Sequence, residues 1–174
     1  MQNNNRISQK PSLALASVFL TAALAVGIAE HWIPFDFAVP GVKLGLSNSV
    51  ILTALYLFRT RDALKIALLK CVLTALLSGA VVSFFYSISG TLISFAVMSV
   101  AVRFSESRFS PIGVSVLGAI SHNMGQIIAA AVIMRSFYVV SYLPVLIISG
   151  VITGVIVGAV VKGLLKAMKN FYKN

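Results

Sequence analysis

The positions of the basic residues constrain this chain more than any other feature. Its 174 residues include 14 Lys and Arg but only 4 Asp and Glu. The cations lie at the ends of six apolar stretches, and all but Lys43 and Arg135 lie in or around the N-terminal arm, the even-numbered connections (Lys65 and Lys70 around the second) or the C-terminal tail. Multi-pass membrane proteins concentrate Lys and Arg on the cytoplasmic side in this way. The pattern predicts an even number of spans, with both termini in the cytoplasm.

The composition supports a membrane location. The chain is 59% hydrophobic and 10% charged, whereas a soluble domain has about 25% charged residues. A pI near 10.2 would also suit a nucleic-acid-binding protein, but these cations flank membrane spans and no polar domain carries them. They are better matched to anionic lipid headgroups or an acidic cytoplasmic partner. We therefore expect a multi-pass protein of the cell (plasma) membrane with no nucleic-acid partner.

The apolar stretches predict an all-α integral membrane protein with six transmembrane helices in residues 12–165. A cytoplasmic arm (1–11) precedes this domain, and a basic amphipathic cytoplasmic tail (163–174) follows it. The predicted spans are residues 12–32, 44–58, 63–85, 90–102, 111–134 and 143–162. No charge occurs between Cys71 and Val102, so we place a turn at residues 86–90 to divide this stretch into two spans.

The predicted second span is short. About 15 residues give roughly 23 Å of helix, less than the ~30 Å hydrocarbon core. A short or interrupted span is typical of binding sites in transporters. A tilted helix or a locally thinned bilayer explains the same length equally well.

Two helix faces consist of small residues spaced four apart. In the first span these are Ser17, Thr21, Ala25 and Ala29, and in the sixth they are Gly150, Gly154 and Gly158. Small faces let helices approach closely in lipid. For the glycine face we favour a neighbour within the chain, whereas the first span suits an internal or an external partner equally.

The fifth span contains a polar segment, Ser121 to Gln126. His122 and Gln126 share a helix face, and Asn123 lies beside it. Polar groups are costly in hydrocarbon unless they are paired, so we expect these side chains to face the bundle interior. They would either bind a ligand or proton, or hydrogen-bond neighbouring helices.

A polar rim is predicted on the outer side. It would combine Lys43, Asn48 and Arg135 with Glu30, His31 and Asp36. Lys43 and Arg135 depart from the charge pattern, and a cation on the outer side suits an anionic group of a ligand. The alternative is an exposed or ion-paired side chain, such as Lys43 with Asp36.

Several chemistries lack their residues in this sequence. It has no phosphate-binding loop of the G-x4-G-K-[ST] type and no H-E-x-x-H metal motif. The single Cys71 leaves no intramolecular disulfide. With 4 Asp and Glu in all, the aspartate-rich magnesium sites needed for prenyl diphosphate chemistry are missing. We predict that the chain is not an enzyme and has no catalytic residues, metal or cofactor.

The segment Pro40 to Asn48, P-G-V-K-L-G-L-S-N, and the S-H-N-x-x-Q of span five carry a resemblance to a known family. The chain resembles the substrate-binding S components of energy-coupling-factor transporters. It is most similar to the Gx transporter branch, also labelled heptaprenyl diphosphate synthase component I. The resemblance covers roughly residues 12–165.

The resemblance implies a six-helix S-component bundle that binds a vitamin or similar micronutrient in an outward-facing pocket. It also implies that an A-x-x-x-A face of the first helix, matched here by Ala25 and Ala29, contacts a transmembrane coupling subunit. Two cytoplasmic ATPases would power the cycle.

These observations lead to two hypotheses. In the first, the chain is the solute-binding subunit of an uptake transporter. Lys43, Asn48, His122, Asn123, Gln126 and Arg135 would then bind substrate, and Ser17, Thr21, Ala25 and Ala29 would contact the coupling subunit. In the second, it is a membrane subunit of a quinone, prenyl-lipid or flavin-linked electron-transfer system.

Overall fold

A computed structural model describes residues 10–32, 46–79, 81–104 and 109–171. The side chains of residues 31, 32 and 169–171 are outside this description. The helices are α1 (Leu13–Trp32), α2 (Asn48–Leu57), α3 (Thr60–Ser78), α4 (Val81–Arg103), α5 (Pro111–Ile133), a 3₁₀ helix (Phe137–Tyr142) and α6 (Leu143–Phe171). The described part of the chain is all-helical.

Within the described residues, four segments are long and apolar enough to cross a membrane. They are Leu13–Glu30, Val81–Arg103, Pro111–Ile133 and Phe137–Met168. Large apolar side chains on their outer faces are exposed, among them Val18, Val100, Ile128 and Ile152. In a protein without a bilayer such faces would be left in water, so they indicate a multi-pass membrane protein.

The turn between the third and fourth helices is not at residues 86–90, and that prediction is wrong. Helix α3 ends at Ser78, and Gly79 follows with φ +65°, a left-handed conformation that glycine adopts without steric cost. Helix α4 then continues through Tyr86–Gly90. Small polar residues remain helical there because they pack on α5: Ser89 Oγ donates a hydrogen bond to Gly125 O at 2.8 Å.

Helix α2 is shorter than the predicted second span. Its 10 residues reach about 15 Å, roughly half the hydrocarbon core. It packs antiparallel to α1, since Phe58 at its end meets Phe19 with ring centroids 4.9 Å apart, while Ser47 at its start lies near Gly27. All residues from Ile51 to Phe58 are buried, so α2 fills the interior of one half of the bundle.

Helix α5 packs between α4 and α6. It begins where Ser110 Oγ accepts a hydrogen bond from the Gly113 N–H, with Pro111 in the first turn. The glycine face of α6 is directed at α5: Gly150 lies beside Asn123 and Ala119, Gly154 beside Val116, and Gly158 beside Ile112 and Ser115. The neighbour of this face is therefore a helix of the same chain.

Helix α6 continues beyond the predicted sixth span into the predicted tail. It runs to Phe171 without interruption. Lys162 and Lys166 are exposed on it, whereas Leu165 is buried. The described part of the tail is therefore amphipathic and continuous with α6.

Substituting Gly158 by Ala should separate α5 from α6. The added β-carbon would lie 2.5 Å from Ile112 Cα, a backbone atom that cannot move alone. We expect the free energy of unfolding to fall by about 1–3 kcal/mol, measured by thermal unfolding of the purified protein in detergent.

Gly163→Ala is the matched control, because the same change on the same helix meets no atom within 4 Å. It should be neutral or stabilising by up to about 1 kcal/mol. Equal stability of the two variants would contradict the close approach of α5 and α6.

Candidate functional site

A layer of buried polar side chains separates two apolar clusters in the bundle. The larger cluster surrounds α2 and extends to Leu165 in α6. The smaller one joins Tyr86, Ile127, Ala130 and Val139 at the other end. The buried polar residues between them, here called the polar layer, are Glu30, Ser47, Asn48, Lys70, Thr74, Ser87, Thr91, His122, Asn123 and Gln126.

Helix α5 contributes three side chains to the polar layer. His122, Asn123 and Gln126 are each at most 2% exposed. Asn123 Nδ2 donates a hydrogen bond to the carbonyl of Leu146 on α6 at 2.6 Å. On the other side, a β-carbon added to Gly90 of α4 would lie 2.9 Å from both His122 Cε1 and Gln126 Cγ. His122 and Gln126 can pack against α4 at this position because Gly90 has no side chain.

The start of α2 forms the centre of the layer. The Glu30 carboxylate, from the last turns of α1, accepts hydrogen bonds from the backbone N–H groups of Leu46 and Ser47, the latter at 3.2 Å. The first N–H groups of a helix have no partner within it and carry the positive end of the helix dipole. Glu30 binds the N–H of the N-cap residue Ser47 and that of Leu46 before it, and so places a negative charge at the favoured end of α2.

Helix α3 contributes Lys70 and Thr74, each 4% exposed. Both lie against Gly27 of α1: a β-carbon added there would be 3.2 Å from Lys70 Cε, 3.4 Å from Thr74 Oγ1 and 3.9 Å from Ser47 Cβ. Assigning Lys70 to the second connection was wrong. It lies ten residues after Thr60, about 15 Å along α3, and is a buried cation within the bundle.

Cys71 links α3 to α4 in the same layer. Its Sγ lies 3.3 Å from Thr91 Oγ1 and 3.6 Å from Ser87 Oγ. Polar contacts therefore continue from helix to helix around the bundle.

Four buried atoms of the layer have no hydrogen-bond partner among the described residues. They are Ser47 Oγ, Asn48 Nδ2, Thr74 Oγ1 and Asn123 Oδ1. A buried polar group that is left unsatisfied costs about 1–3 kcal/mol. Buried polar atoms that lack a partner within the chain are a feature expected of a binding site.

The residues that the sequence assigned to substrate binding are only partly brought together. Asn48, His122, Asn123 and Gln126 lie in the polar layer. Asn48 also lines a cavity of about 10 Å³ with Ser115 and Thr153, which is about the size needed for one water molecule. Lys43, His31 and Asp36 lie outside what the structure describes.

Arg135 does not lie in the polar layer. It is exposed after the end of α5, with φ 49°. It lines an apolar surface groove of about 510 Å³ that includes Met124, Val132 and Phe137. Nine residues separate it from Gln126, which is about 13 Å along a helix.

The small-residue face of α1 is free of internal contacts that would bury it. Ser17, Thr21, Ala25 and Ala29 are all exposed, whereas Ala23, Gly27 and Glu30 on the opposite side are buried. Near the N-terminal end of α1 this face borders a surface groove of about 590 Å³ between α1 and α3.

The sequence reasoning missed Lys70, Ser47 and Thr74, and it placed Glu30 on an outer rim. A signal was present in L-L-K-C-V-L-T-A-L-L, residues 68–77, where one cation is surrounded by apolar residues on both sides. The charge pattern defined the connections, so Lys70 was grouped with the cations of the second connection and not recognised as a cation inside a helix.

Comparison with known proteins identifies a family. Residues 19–164 match the model of the family described as "Heptaprenyl diphosphate synthase component I". No curated protein and no solved structure gave a significant match.

Replacing Glu30 by Ala should destabilise the protein. It leaves the N–H groups of Leu46 and Ser47 without their acceptor in an apolar surrounding. We expect the free energy of unfolding to fall by about 2–4 kcal/mol, and Glu30→Gln, which keeps one acceptor oxygen, to cost less. Thermal unfolding in detergent measures both changes.

Asp62→Ala is the control for loss of a carboxylate in an early helical turn. Asp62 pairs with Lys65 at 4.0 Å near the surface, and such pairs contribute at most about 1 kcal/mol. If Glu30→Ala is no more destabilising than Asp62→Ala, the carboxylate does not hold the start of α2.

Proposed function

We propose that this chain, which belongs to the heptaprenyl diphosphate synthase component I family, is the membrane-embedded substrate-binding subunit of a micronutrient uptake transporter. It would bind a small, vitamin-like solute, and separate coupling and ATPase subunits would power uptake. The observation that carries the proposal is the polar layer, a set of buried hydrogen-bonding groups inside an otherwise apolar bundle.

The short α2 gives the polar layer its position. Because α2 begins at Asn48 and fills only one half of the bundle, Glu30 of α1 and Lys70 and Thr74 of α3 lie near its start. Interrupted helices whose N-termini lie at mid-depth are typical of solute sites in transporters. Asn48, His122, Asn123 and Gln126 would supply directional hydrogen bonds, with Lys43 and Arg135 at the outer entrance.

The proposed topology has six crossings with both termini in the cytoplasm. Helix α1 would lead outward and α2 would return the chain to the cytoplasmic side, with α3 to α6 alternating after it. The exposed Arg59, Arg61 and Lys65 at the start of α3, and Lys162 and Lys166 on α6, would then all lie on the cytoplasmic side.

The exposed small face of α1 supports a partner in the membrane. A face of Ser17, Thr21, Ala25 and Ala29 allows another helix to approach closely, and no helix of the described bundle covers it. We assign this face to the coupling subunit.

The family description favours a second function, that of a membrane component of a prenyl-lipid or quinone system. A pull-down from the native membrane distinguishes the two. Coupling and ATPase subunits would support transport, and a prenyl synthase or redox subunit would support the alternative. Native mass spectrometry of the purified chain would identify a co-purified solute directly.

Replacing Ala25 and Ala29 together by Leu should abolish solute uptake and co-purification of the coupling subunit. The larger side chains would hold the partner helix away, while solute binding to the isolated chain should persist because both positions are exposed. Uptake by cells, pull-down and native mass spectrometry give the three readouts.

Ala96→Leu together with Ala159→Leu is the matched control, since these alanines are exposed on α4 and α6. Uptake should be retained in this variant. Unimpaired uptake in the α1 variant would show that the partner does not bind there.

Asn48→Leu and Gln126→Leu should weaken solute binding and leave the coupling subunit bound. Each removes a buried hydrogen-bonding group from the polar layer, so solute affinity should fall about tenfold or more while the coupling subunit still co-purifies. Solute occupancy in native mass spectra measures the effect.

Thr53→Val is the control for loss of a buried polar group from α2. Thr53 lies outside the layer and donates a hydrogen bond to Ser49 O of its own helix. If solute occupancy in the Asn48 and Gln126 variants equals that of Thr53→Val, the polar layer is not the solute site.

A further inference from the structure

Lys70 is a buried cation whose charge no contact within the described bundle explains. It is 4% exposed at mid-length of α3, between α1 and the start of α2. The ion pair found among the described residues joins Lys65 to Asp62, and Lys70 has no carboxylate within 4.0 Å there. An ammonium group at the end of a buried side chain is stabilised by an acceptor or a counter-charge.

The hydroxyl groups that converge beside Lys70 do not accept a hydrogen bond from it. Ser47 Oγ and Thr74 Oγ1 are buried and make no hydrogen bond to any described residue. Like Lys70, both residues lie beside Gly27, which has no side chain. An ammonium group donates three hydrogen bonds and each hydroxyl donates one. The three side chains therefore form a donor-rich cradle.

Glu30 lies beside Ser47, but both of its carboxylate oxygens already accept hydrogen bonds from the backbone. Its two oxygens accept the N–H groups of Leu46 and Ser47, where the positive end of the α2 dipole balances part of the negative charge. The bundle thus holds Glu30 on the helix terminus and leaves Lys70 to a different anionic partner.

From this arrangement we infer that the transported solute carries a carboxylate or phosphate group, which binds Lys70, Ser47 and Thr74. The inference rests on the proposed transport function and adds the chemical class of the solute and three residues that recognise it. A carboxylate and a phosphate both offer several acceptor oxygens to one ammonium and two hydroxyl groups. The amide and imidazole groups of α5 would bind the uncharged part of the solute.

The test uses the purified full-length chain in detergent and two simple probes, inorganic phosphate and acetate. Sodium chloride at the same ionic strength is the reference. We expect one of the probes to raise the thermal unfolding midpoint beyond chloride, because a ligand that binds only the folded state stabilises it. A response to phosphate alone identifies a phosphate group, and a response to acetate alone a carboxylate.

The variant Lys70→Met keeps most of the length of the side chain and removes its charge. It should weaken probe binding by about ten- to a hundredfold. Thr74→Val, which is nearly isosteric, should also weaken it, and Lys70→Arg should retain part of the response. Lys65→Met, which removes an exposed charge from the same helix, should respond like the wild type.

Three results would overturn the inference. One is that neither probe stabilises the wild type beyond chloride, and another is that Lys70→Met and Thr74→Val both respond as the wild type does. The third is a neutral solute in native mass spectra whose occupancy is unchanged in Lys70→Met. That last result leaves the transport function standing, whereas co-purification of a prenyl synthase or redox subunit in place of coupling and ATPase subunits would contradict the transport function itself.

Discussion

The fold depends on how Glu30 holds the start of α2. A helix that begins inside hydrocarbon exposes N–H groups that neither water nor lipid can satisfy. Glu30 accepts hydrogen bonds from the N–H groups of Leu46 and Ser47, immediately before Asn48, and so fixes where α2 begins. The part of the polar layer around Lys70 follows from this, because Ser47 is then brought beside Lys70 and Thr74 on α3.

The close approach of α5 to its two neighbours is the second condition for the site. Gly90 and Gly125 let α4 and α5 touch, and Gly154 and Gly158 do the same for α6. Lipid provides little hydrophobic force between helices, so packing of this kind holds them together. His122 and Gln126 can be buried in a tight interface only because Gly90 offers them room.

The sequence predicted the long helices well, because about twenty apolar residues between polar ends permit few other structures in a membrane. Helices α1 and α5 begin and end within two residues of the predicted spans, and the polar face of α5 points inward. The turn between α3 and α4 was misplaced because Ser87 and Gly90 have the composition of a turn, whereas in the fold they are interface residues. Gly79 gave a weaker local signal, and its left-handed conformation is visible only in the structure.

Lys70 shows the physical limit of reading topology from charge. The rule counts cations near span ends, where they remain hydrated, and it has no means of recognising a cation that the fold keeps inside. Burial of Lys70 depends on Gly27 of α1 and on Ser47 before α2, which lie far from it in the sequence, as well as on Thr74, one turn further along α3. Once Lys70 is removed from the cytoplasmic set, Arg59, Arg61 and Lys65 still mark the start of α3, so the predicted orientation does not depend on it. Lys70 is not needed to set the topology, and it lies near Ser47 and Thr74 of the polar layer. We therefore propose that it binds the solute.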